Sequence, residues 1–522
     1  MLHFGPFRFD PATRSLWRDD ERVPLRPKTA DVLGVLLQHA GRLVTREELL
    51  ESTWRGVDVD EGLLHGYIDE LRGLLGDDPD DPHYIETVEG GGYRFLPEVT
   101  TADGPADSGA AGIDAVSATG SHGTHSVARR EPIRVGVLHS LSGTMAWTET
   151  PVVDATLLAI SEINESGGVG GRLIEPIVVD CKSSEAVFAR KAEKLLDQQG
   201  ASALFGCWTS ACRKAVVPIV EAHNRLLFYP VQYEGLEASP NVVYTGAVPN
   251  QQIIPGVRWA FDELGARRFF LVGWNSIYSW AAHEIMRDEI VAAGGTLAGV
   301  AYLDLEGLSV HDVVDQIIAA KPDAIVNSTV GDLNLLYTRV LRASGIGSSE
   351  IPSLYLNVGE AELLSLSAND AVGDYAVRNY FQAIDRAENR AFVSRFRGRY
   401  GPRRVTNDPM EAAYVAVHLW ARAAATAGHE DTRLLRAALT GLSFEAPEGT
   451  VWIDSDTQHS WRTARVGQFR ADNQFSILWG SERPIRPEPF PATRSRDAWD
   501  ELLAQRYAQW GGHWTAPAPA AR

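Results

Sequence analysis

Ile133-Arg134-Val135-Gly136-Val137-Leu138 is an apolar run carrying one arginine, and His139-Ser140-Leu141-Ser142-Gly143-Thr144 follows it directly as a polar loop. A short apolar run bounded by turn residues reads as a buried strand. Helical spacing then continues to Ile163. The same grammar repeats downstream. Strands are predicted at 173–179, 203–205 and 226–229, with helices at 185–198 and 211–224 between them. Beyond Asn250 come a helix to Glu263, strand 269–272, a helix to Ala293 and strand 299–303. Helix 310–320, strand 324–326 and helix 333–343 complete the run. Buried strands alternating with helices imply parallel sheets flanked by helices. Two such runs predict two α/β lobes, with ligands taken where loops leave the carboxyl ends of the strands.

Those strand-end loops are aromatic and polar. They read Gly206-Cys207-Trp208-Thr209-Ser210, Tyr229-Pro230-Val231-Gln232-Tyr233-Glu234-Gly235 and Gly273-Trp274-Asn275-Ser276-Ile277-Tyr278. Thr329-Val330-Gly331-Asp332-Leu333-Asn334 and Asn357-Val358-Gly359-Glu360 occupy matching positions. A single Tyr or Trp is more often core than ligand contact, but here they cluster at strand ends. A rigid aromatic box with a few hydroxyl and amide groups suits a small, neutral, planar polar ligand. Nothing points to an enzyme: no P-loop, dinucleotide fingerprint or HExxH occurs. Cys207, with His139 or His223 as conceivable partners, reads as a buried strand-end cysteine rather than a nucleophile. No cofactor is implied.

Working outward, 522 residues exceed what one core usually serves. The seam is 101–131, rich in Gly, Ala, Ser, Thr and Asp, which reads as a flexible linker. It divides a block at 1–100 from a receptor block at 132–490, whose first lobe is about 132–250 and second about 251–375, each with a later segment. Residues 491–522 form a tail with an amphipathic helix from Asp497 to Trp510, expected to pack on the main domain. Three cysteines without CxxC spacing give neither a disulfide framework nor a zinc site. No window approaches eighteen consecutive apolar residues and the start is no signal peptide, so the expected location is cytoplasmic, away from membranes. The net charge of −19 excludes a general polyanion-binding surface.

In the first block, strands are predicted at 7–9 and 23–25, and helices at 29–40, from Thr45 through Trp54, and at 61–75. A hairpin follows, 84–88 and 93–95 around Glu89-Gly90-Gly91-Gly92. Leu25-Arg26-Pro27-Lys28, Arg46-Glu47-Glu48-Leu49-Leu50, Leu71-Arg72 and Tyr84-Ile85-Glu86-Thr87-Val88 leading to Gly92-Tyr93-Arg94-Phe95 resemble the OmpR/PhoB-type winged-helix DNA-binding domain. The resemblance implies a third helix in the major groove of double-stranded DNA, with Arg46, His65, Tyr67, Arg72 and Arg94 as the footprint. The charges depart from that pattern. The third helix carries Asp69 and Glu70, the wing turn begins with Glu89, and residues 1–100 hold 11 Lys+Arg against 20 Asp+Glu, a net of −9.

Residues 133 to about 490 resemble type I periplasmic binding proteins of urea and short-amide uptake, and the amide sensor of aliphatic amidase operons. The stretches that carry this are Leu138-His139-Ser140-Leu141-Ser142-Gly143-Thr144, Phe205-Gly206-Cys207-Trp208-Thr209-Ser210 and Phe228-Tyr229-Pro230-Val231-Gln232-Tyr233-Glu234-Gly235. Pro249-Asn250-Gln251-Gln252, Thr406-Asn407-Asp408-Pro409-Met410-Glu411-Ala412 and Pro484-Ile485-Arg486-Pro487 add to it. The resemblance implies a two-lobed fold, with Trp208, Ser210, Tyr229, Val231, Gln232, Tyr233, Trp274 and Tyr278 around the ligand and Asp332 and Glu360 facing it. Where the family commonly has Asp-Tyr-x-Tyr-Pro, this chain has Asn275-Ser276-Ile277-Tyr278-Ser279, which reshapes one wall. The expected function is a one-component transcriptional regulator that binds urea or a short amide, acting as a homodimer. The alternative is a ligand-gated interaction module whose acidic winged helix docks on RNA polymerase or a partner regulator.

Overall fold

The computed structural model describes residues 1–522 apart from 12–14, 20, 24, 26, 55–57, 60, 80, 89–90, 98, 102–130, 305–308, 365–367 and 517–522. The predicted linker, the turn residues Glu89 and Gly90, and the side chains of His65 and Asp332 lie outside the described residues. The chain divides into two compact units, Met1–Glu131 and Pro132–Arg522.

The first unit opens with an antiparallel meander, Leu2–Phe4, Phe7–Asp10, Ser15–Arg18 and Glu21–Val23, where sequence pattern predicts two strands only. Strands of three or four residues give alternation too little length to register: Phe7 and Phe9 point inward, Arg8 and Asp10 do not. Helices Pro27–Gln38, Arg46–Trp54 and Glu61–Leu75 follow. Thr45 and Glu48 close the predicted capping box, Thr45 N–H donating to Glu48 Oε2 at 3.0 Å and Glu48 N–H to Thr45 Oγ1 at 3.1 Å. The hairpin Ile85–Val88 and Gly92–Phe95 is completed by Leu43–Thr45. This is a winged-helix domain.

The second unit has the type I periplasmic-binding-protein fold. In the first lobe five of its strands run parallel in the order Val242–Tyr244, Leu226–Tyr229, Ala203–Gly206, Ile133–His139, Ile174–Asp180. The second lobe has Thr296–Leu303, Arg268–Trp274, Ala324–Ser328, Ser353–Tyr355 and Tyr375–Arg378 in parallel. Arg465–Phe469 and Phe475–Gly480 then extend that sheet antiparallel, so it is mixed rather than wholly parallel as expected.

The helix Asp408–Ala427 returns to the first lobe, lying along Ala146–Glu165, where Tyr414 OH donates to Glu162 Oε2 at 2.6 Å. The helix Arg496–Gln509 buries Trp499 and Leu503 in the second-lobe core. Where the chain passes between lobes the backbone is pinned. Asp408 Oδ2 accepts from the N–H groups of Asn379 (2.6 Å) and Tyr380 (2.8 Å), while Arg462 spans Glu411 and Glu448.

Candidate functional site: a pocket between the lobes

Each wall of the pocket begins at the carboxyl end of a parallel strand. After Ala203–Gly206 the chain turns sharply. A Cβ on Gly206 would meet Leu138 O at 2.1 Å, so only glycine lets the backbone pass there. Thr209 then caps the helix Ser210–Ala222 by accepting from Cys212 N–H at 3.1 Å, which fixes Trp208 and Ser210. Strand Leu226–Tyr229 delivers Tyr229, Val231 and Gln232. From the second lobe, Arg268–Trp274 delivers Trp274 and the helix Ile277–Ala292 delivers Tyr278. Val330 and Asn357 follow the next two strands. The cavity these residues enclose is small, about 20 Å³ open to the centre of a water-sized sphere, where roughly 10–15 Å³ holds one water, so it suits only a very small solute.

Among the described residues, no lining side chain is ionisable as a carboxylate, amine, guanidinium or imidazole. The polar groups present can be assigned a sense. Asn357 Nδ2 donates to Ser328 O at 2.9 Å and Thr329 O at 3.1 Å, which fixes the amide's orientation. Its Oδ1 therefore faces Gln232 and accepts from Gln232 Nε2 at 2.7 Å, a hydrogen bond between the lobes. Gln232 Oε1 is left as a buried acceptor with no partner among the described residues. Trp274 Nε1 is a buried donor with no partner among the described residues. The Tyr278 hydroxyl lies beside the Asn357 amide without a well-formed hydrogen bond, and burial pushes its pKa well up, so it stays protonated. Unsatisfied buried polar groups cost roughly 1–3 kcal/mol each, so three around one cavity are a ligand-shaped deficit.

Behind the first-lobe wall lies a charge cluster sealed from the cavity. Arg213 is fully buried, 4.7 Å from the Tyr229 ring centroid and 4.3 Å from that of Tyr233. It pairs with Glu237 at 2.8 Å and Glu234 at 3.3 Å, and Ser210 Oγ donates to Glu234 Oε2 at 2.5 Å. Although burial opposes ionisation, Arg213 and Lys214 hold the Glu237 carboxyl well below the ordinary carboxylate range. Tyr229 OH donates to Trp208 O at 2.7 Å, tying two walls together.

Seven of the ten residues expected around the ligand line this pocket: Trp208, Ser210, Tyr229, Val231, Gln232, Trp274 and Tyr278. Tyr233 does not. Its hydroxyl is held by His459 Nε2 at 2.6 Å and its ring stacks 5.1 Å from Tyr244, so it backs Tyr229 from behind. Glu360 does not line it either. It is buried at the start of the helix Glu360–Leu363, its Oε1 accepts from Gln382 N–H at 2.6 Å, and burial raises its pKa to about 8. For Asp332 the described residues give the backbone alone. Thr209, Val330 and Asn357 were missed, although each stands in a loop marked as a strand end. The three cysteines are free and buried, and burial pushes their thiols well up, which makes them poor nucleophiles.

In the winged helix, Tyr67 and Arg72 are corrections: both are buried. Arg72 turns inward to donate to Ile85 O at 3.0 Å and Thr87 Oγ1 at 2.7 Å, so its charge anchors the hairpin rather than facing outward. Arg46 stands half-buried at the start of its helix, close to Tyr93. Arg94 pairs with Glu86 at 3.1 Å on the hairpin surface.

Residues 133–496 match the family model described as "periplasmic binding protein domain", and residues 20–95 match "transcriptional regulatory protein, C terminal". Among curated proteins, "Transcriptional regulator HilA" of Salmonella typhi is 39% identical over 117 residues, 20% of this chain and 21% of that protein. "Limonene hydroxylase" of Geobacillus stearothermophilus is 32% identical over 137 residues, 26% of this chain and 25% of that protein. The chain thus spans a quarter or less of these relatives.

Among solved structures, a solute-binding protein of an ABC transporter from Rhodopseudomonas palustris BisB5, in complex with 3,4-dihydroxybenzoic acid, superposes with a TM-score of 0.62. It is 20% identical and covers 68% of this chain and 99% of its own. The leucine-binding protein LivK from Thermotoga maritima MSB8 gives a TM-score of 0.60 at 17% identity, covering 67% and 98%. The match over 133–496 takes in more than half of the chain, which belongs to the periplasmic binding protein domain family and joins that domain to an N-terminal transcriptional-regulator domain.

Proposed function

We propose that this protein is a cytoplasmic one-component transcriptional regulator that takes urea or a short amide between its lobes and reports it through the winged helix to double-stranded DNA. The observation that carries the ligand class is the unpaired set in an uncharged pocket. Trp274 Nε1 and Tyr278 OH can donate to a ligand carbonyl, while Gln232 Oε1 can accept a ligand N–H. An α-amino acid or a benzoate would bring charges that no described lining side chain compensates, at a burial cost of several kcal/mol. The two solved structures named above, one of them a complex with 3,4-dihydroxybenzoic acid, share the fold alone. The regulatory half of the proposal is supported by the match over 20–95. Among the described residues no helix is long and apolar enough to cross a membrane.

Because a ligand grips residues from both lobes, binding favours the closed arrangement and shifts the population toward it. A thermal-shift series with millimolar urea, acetamide, leucine and benzoate tests the ligand class. Acetamide or urea should raise the melting temperature by mass action, and a rise confined to leucine or benzoate would refute it. Mobility shift of the chain's own promoter region, with and without acetamide, tests the output. Affinity should change with ligand and fall as salt rises. Salt-insensitive capture of RNA polymerase instead of DNA would replace the DNA reading with docking.

A further inference from the structure

The segment after the C-terminal helix runs back across the receptor unit. Ile277 N–H donates to Trp514 O at 3.0 Å and Ala516 N–H to Asn275 O at 3.2 Å, with Ser276 and Thr515 paired as an antiparallel bridge. This lays residues 514–516 along the turn between Trp274 and Tyr278, both of which line the pocket. Tyr507, on the second-lobe helix, holds the Trp514 ring at a centroid distance of 4.4 Å.

From that anchorage the segment reaches the first lobe twice. Thr515 Oγ1 donates to Glu185 Oε1 at 3.0 Å, at the start of the helix Glu185–Asp197. Lys214 Nζ stands 4.7 Å from the Trp514 ring centroid, on the helix whose first residue, Ser210, lines the pocket. Lys214 also pairs with Glu237 at 2.9 Å, so its position over the ring is braced from its own lobe.

We propose that residues 514–516 are a latch of the interlobe pocket, with Thr515 and Trp514 as positioning residues that favour lobe closure and so set ligand affinity. The latch rests on the reading of this pocket as the ligand site. Backbone hydrogen bonds fasten the segment to the second lobe in any lobe arrangement. The contacts to Glu185 and Lys214 exist only when the lobes approach, so they stabilise the closed form alone. A hydroxyl–carboxylate hydrogen bond and a partly exposed cation–π contact are each modest. They bias the equilibrium without fixing it, which leaves the ligand room to complete the shift.

The test uses the full chain with spin labels on exposed positions of the two lobes, introduced as Gln198→Cys and Ala293→Cys. The native thiols are buried and do not compete. Thr515→Val removes the hydroxyl from one side, and Lys214→Met removes the cation from the other without touching the segment. Each variant should transfer population from the short to the long interlobe distance, and should weaken acetamide binding by about three- to tenfold. Saturating acetamide should restore the short distance. Distance distributions and acetamide affinity equal to wild type in both variants would overturn the latch. A wild-type chain that binds neither acetamide nor urea counts against the ligand reading, while the distances in the two variants still decide the latch.

Discussion

Replacing Gln232 by Met keeps the side chain's length and removes both of its polar atoms. In the unliganded protein the loss is the bond to Asn357 Oδ1 at 2.7 Å. The rest of the Asn357 network survives, because its Nδ2 remains on the carbonyls of Ser328 and Thr329. Asn357 Oδ1 loses its donor at roughly 1–3 kcal/mol, but the unpaired Gln232 Oε1 disappears with a gain of the same order, so the guanidinium midpoint should change only slightly. In the liganded protein the loss is larger. The N–H of a bound amide would face a thioether, its one freed acceptor being Asn357 Oδ1 on the opposite lobe, and an unsatisfied buried donor costs roughly 1–3 kcal/mol. At ~1.4 kcal/mol per decade, acetamide affinity should drop roughly five- to hundredfold. Calorimetric titration of wild type and Gln232→Met with acetamide measures this, and acetone supplies the control, matching acetamide in shape but lacking N–H. Acetone affinity should change little. Equal losses for both compounds, or acetamide binding within twofold of wild type, would refute the assignment of Gln232 Oε1 as the amide acceptor.

Arg213→Met should cost about 3–5 kcal/mol of stability, because it leaves the buried Glu234 without its cation and Glu237 with Lys214 alone; guanidinium denaturation measures it, and a loss below ~1 kcal/mol would mean the cluster is solvated. Gly246→Ala would set a Cβ 2.2 Å from Val231 C and O and 2.6 Å from Gln232 N. It should therefore lower the melting temperature through ~1–3 kcal/mol of overpacking and abolish acetamide binding, and normal binding with a normal melt would contradict the backbone packing described. Glu360 holds its proton up to a pKa of about 8 when folded, against 4.5 as its ordinary value. The folded state binds more protons across that window, so its contribution is complete below pH 4.5 and is lost as pH rises toward 8, at up to ~1.4 kcal/mol per pH unit. Glu360→Gln should flatten the decline in guanidinium midpoint between pH 5 and 8, and an unchanged slope would remove Glu360 as its source.

The two-lobed fold was legible because buried parallel strands write themselves as apolar runs, and because ligand groups must follow such strands at their carboxyl ends. That rule marked the loops that hold Trp208, Tyr229 and Trp274, and the family resemblance picked those residues out within them. The rule gives the loop but not the direction each side chain takes within it. Tyr229 and Tyr233 share one loop, yet only the first opens on the cavity, since His459 draws the second away from 226 residues along the chain. Asn357 passed as an ordinary loop amide, its role being set by the carbonyls of Ser328 and Thr329 across the neighbouring strand end. Arg72 read as an outward cation because helical periodicity assigns a face to the Cα, whereas a guanidinium on a long stem can turn under the hairpin. The antiparallel strands Arg465–Phe469 and Phe475–Gly480 were hidden for a similar reason. Their partner, Tyr375–Arg378, precedes them by some ninety residues, with first-lobe helices between.

The modest size of the cavity has a consequence for the concentrations at which such a protein operates. Very small ligands gain at best about 1.5 kcal/mol per heavy atom. Urea and acetamide have four heavy atoms, which caps binding near ~6 kcal/mol and a dissociation constant of roughly 40 μM. No improvement of the walls can pass that ceiling. A switch that takes urea or acetamide, as proposed, would therefore stay silent at nanomolar levels and respond from tens of micromolar to millimolar.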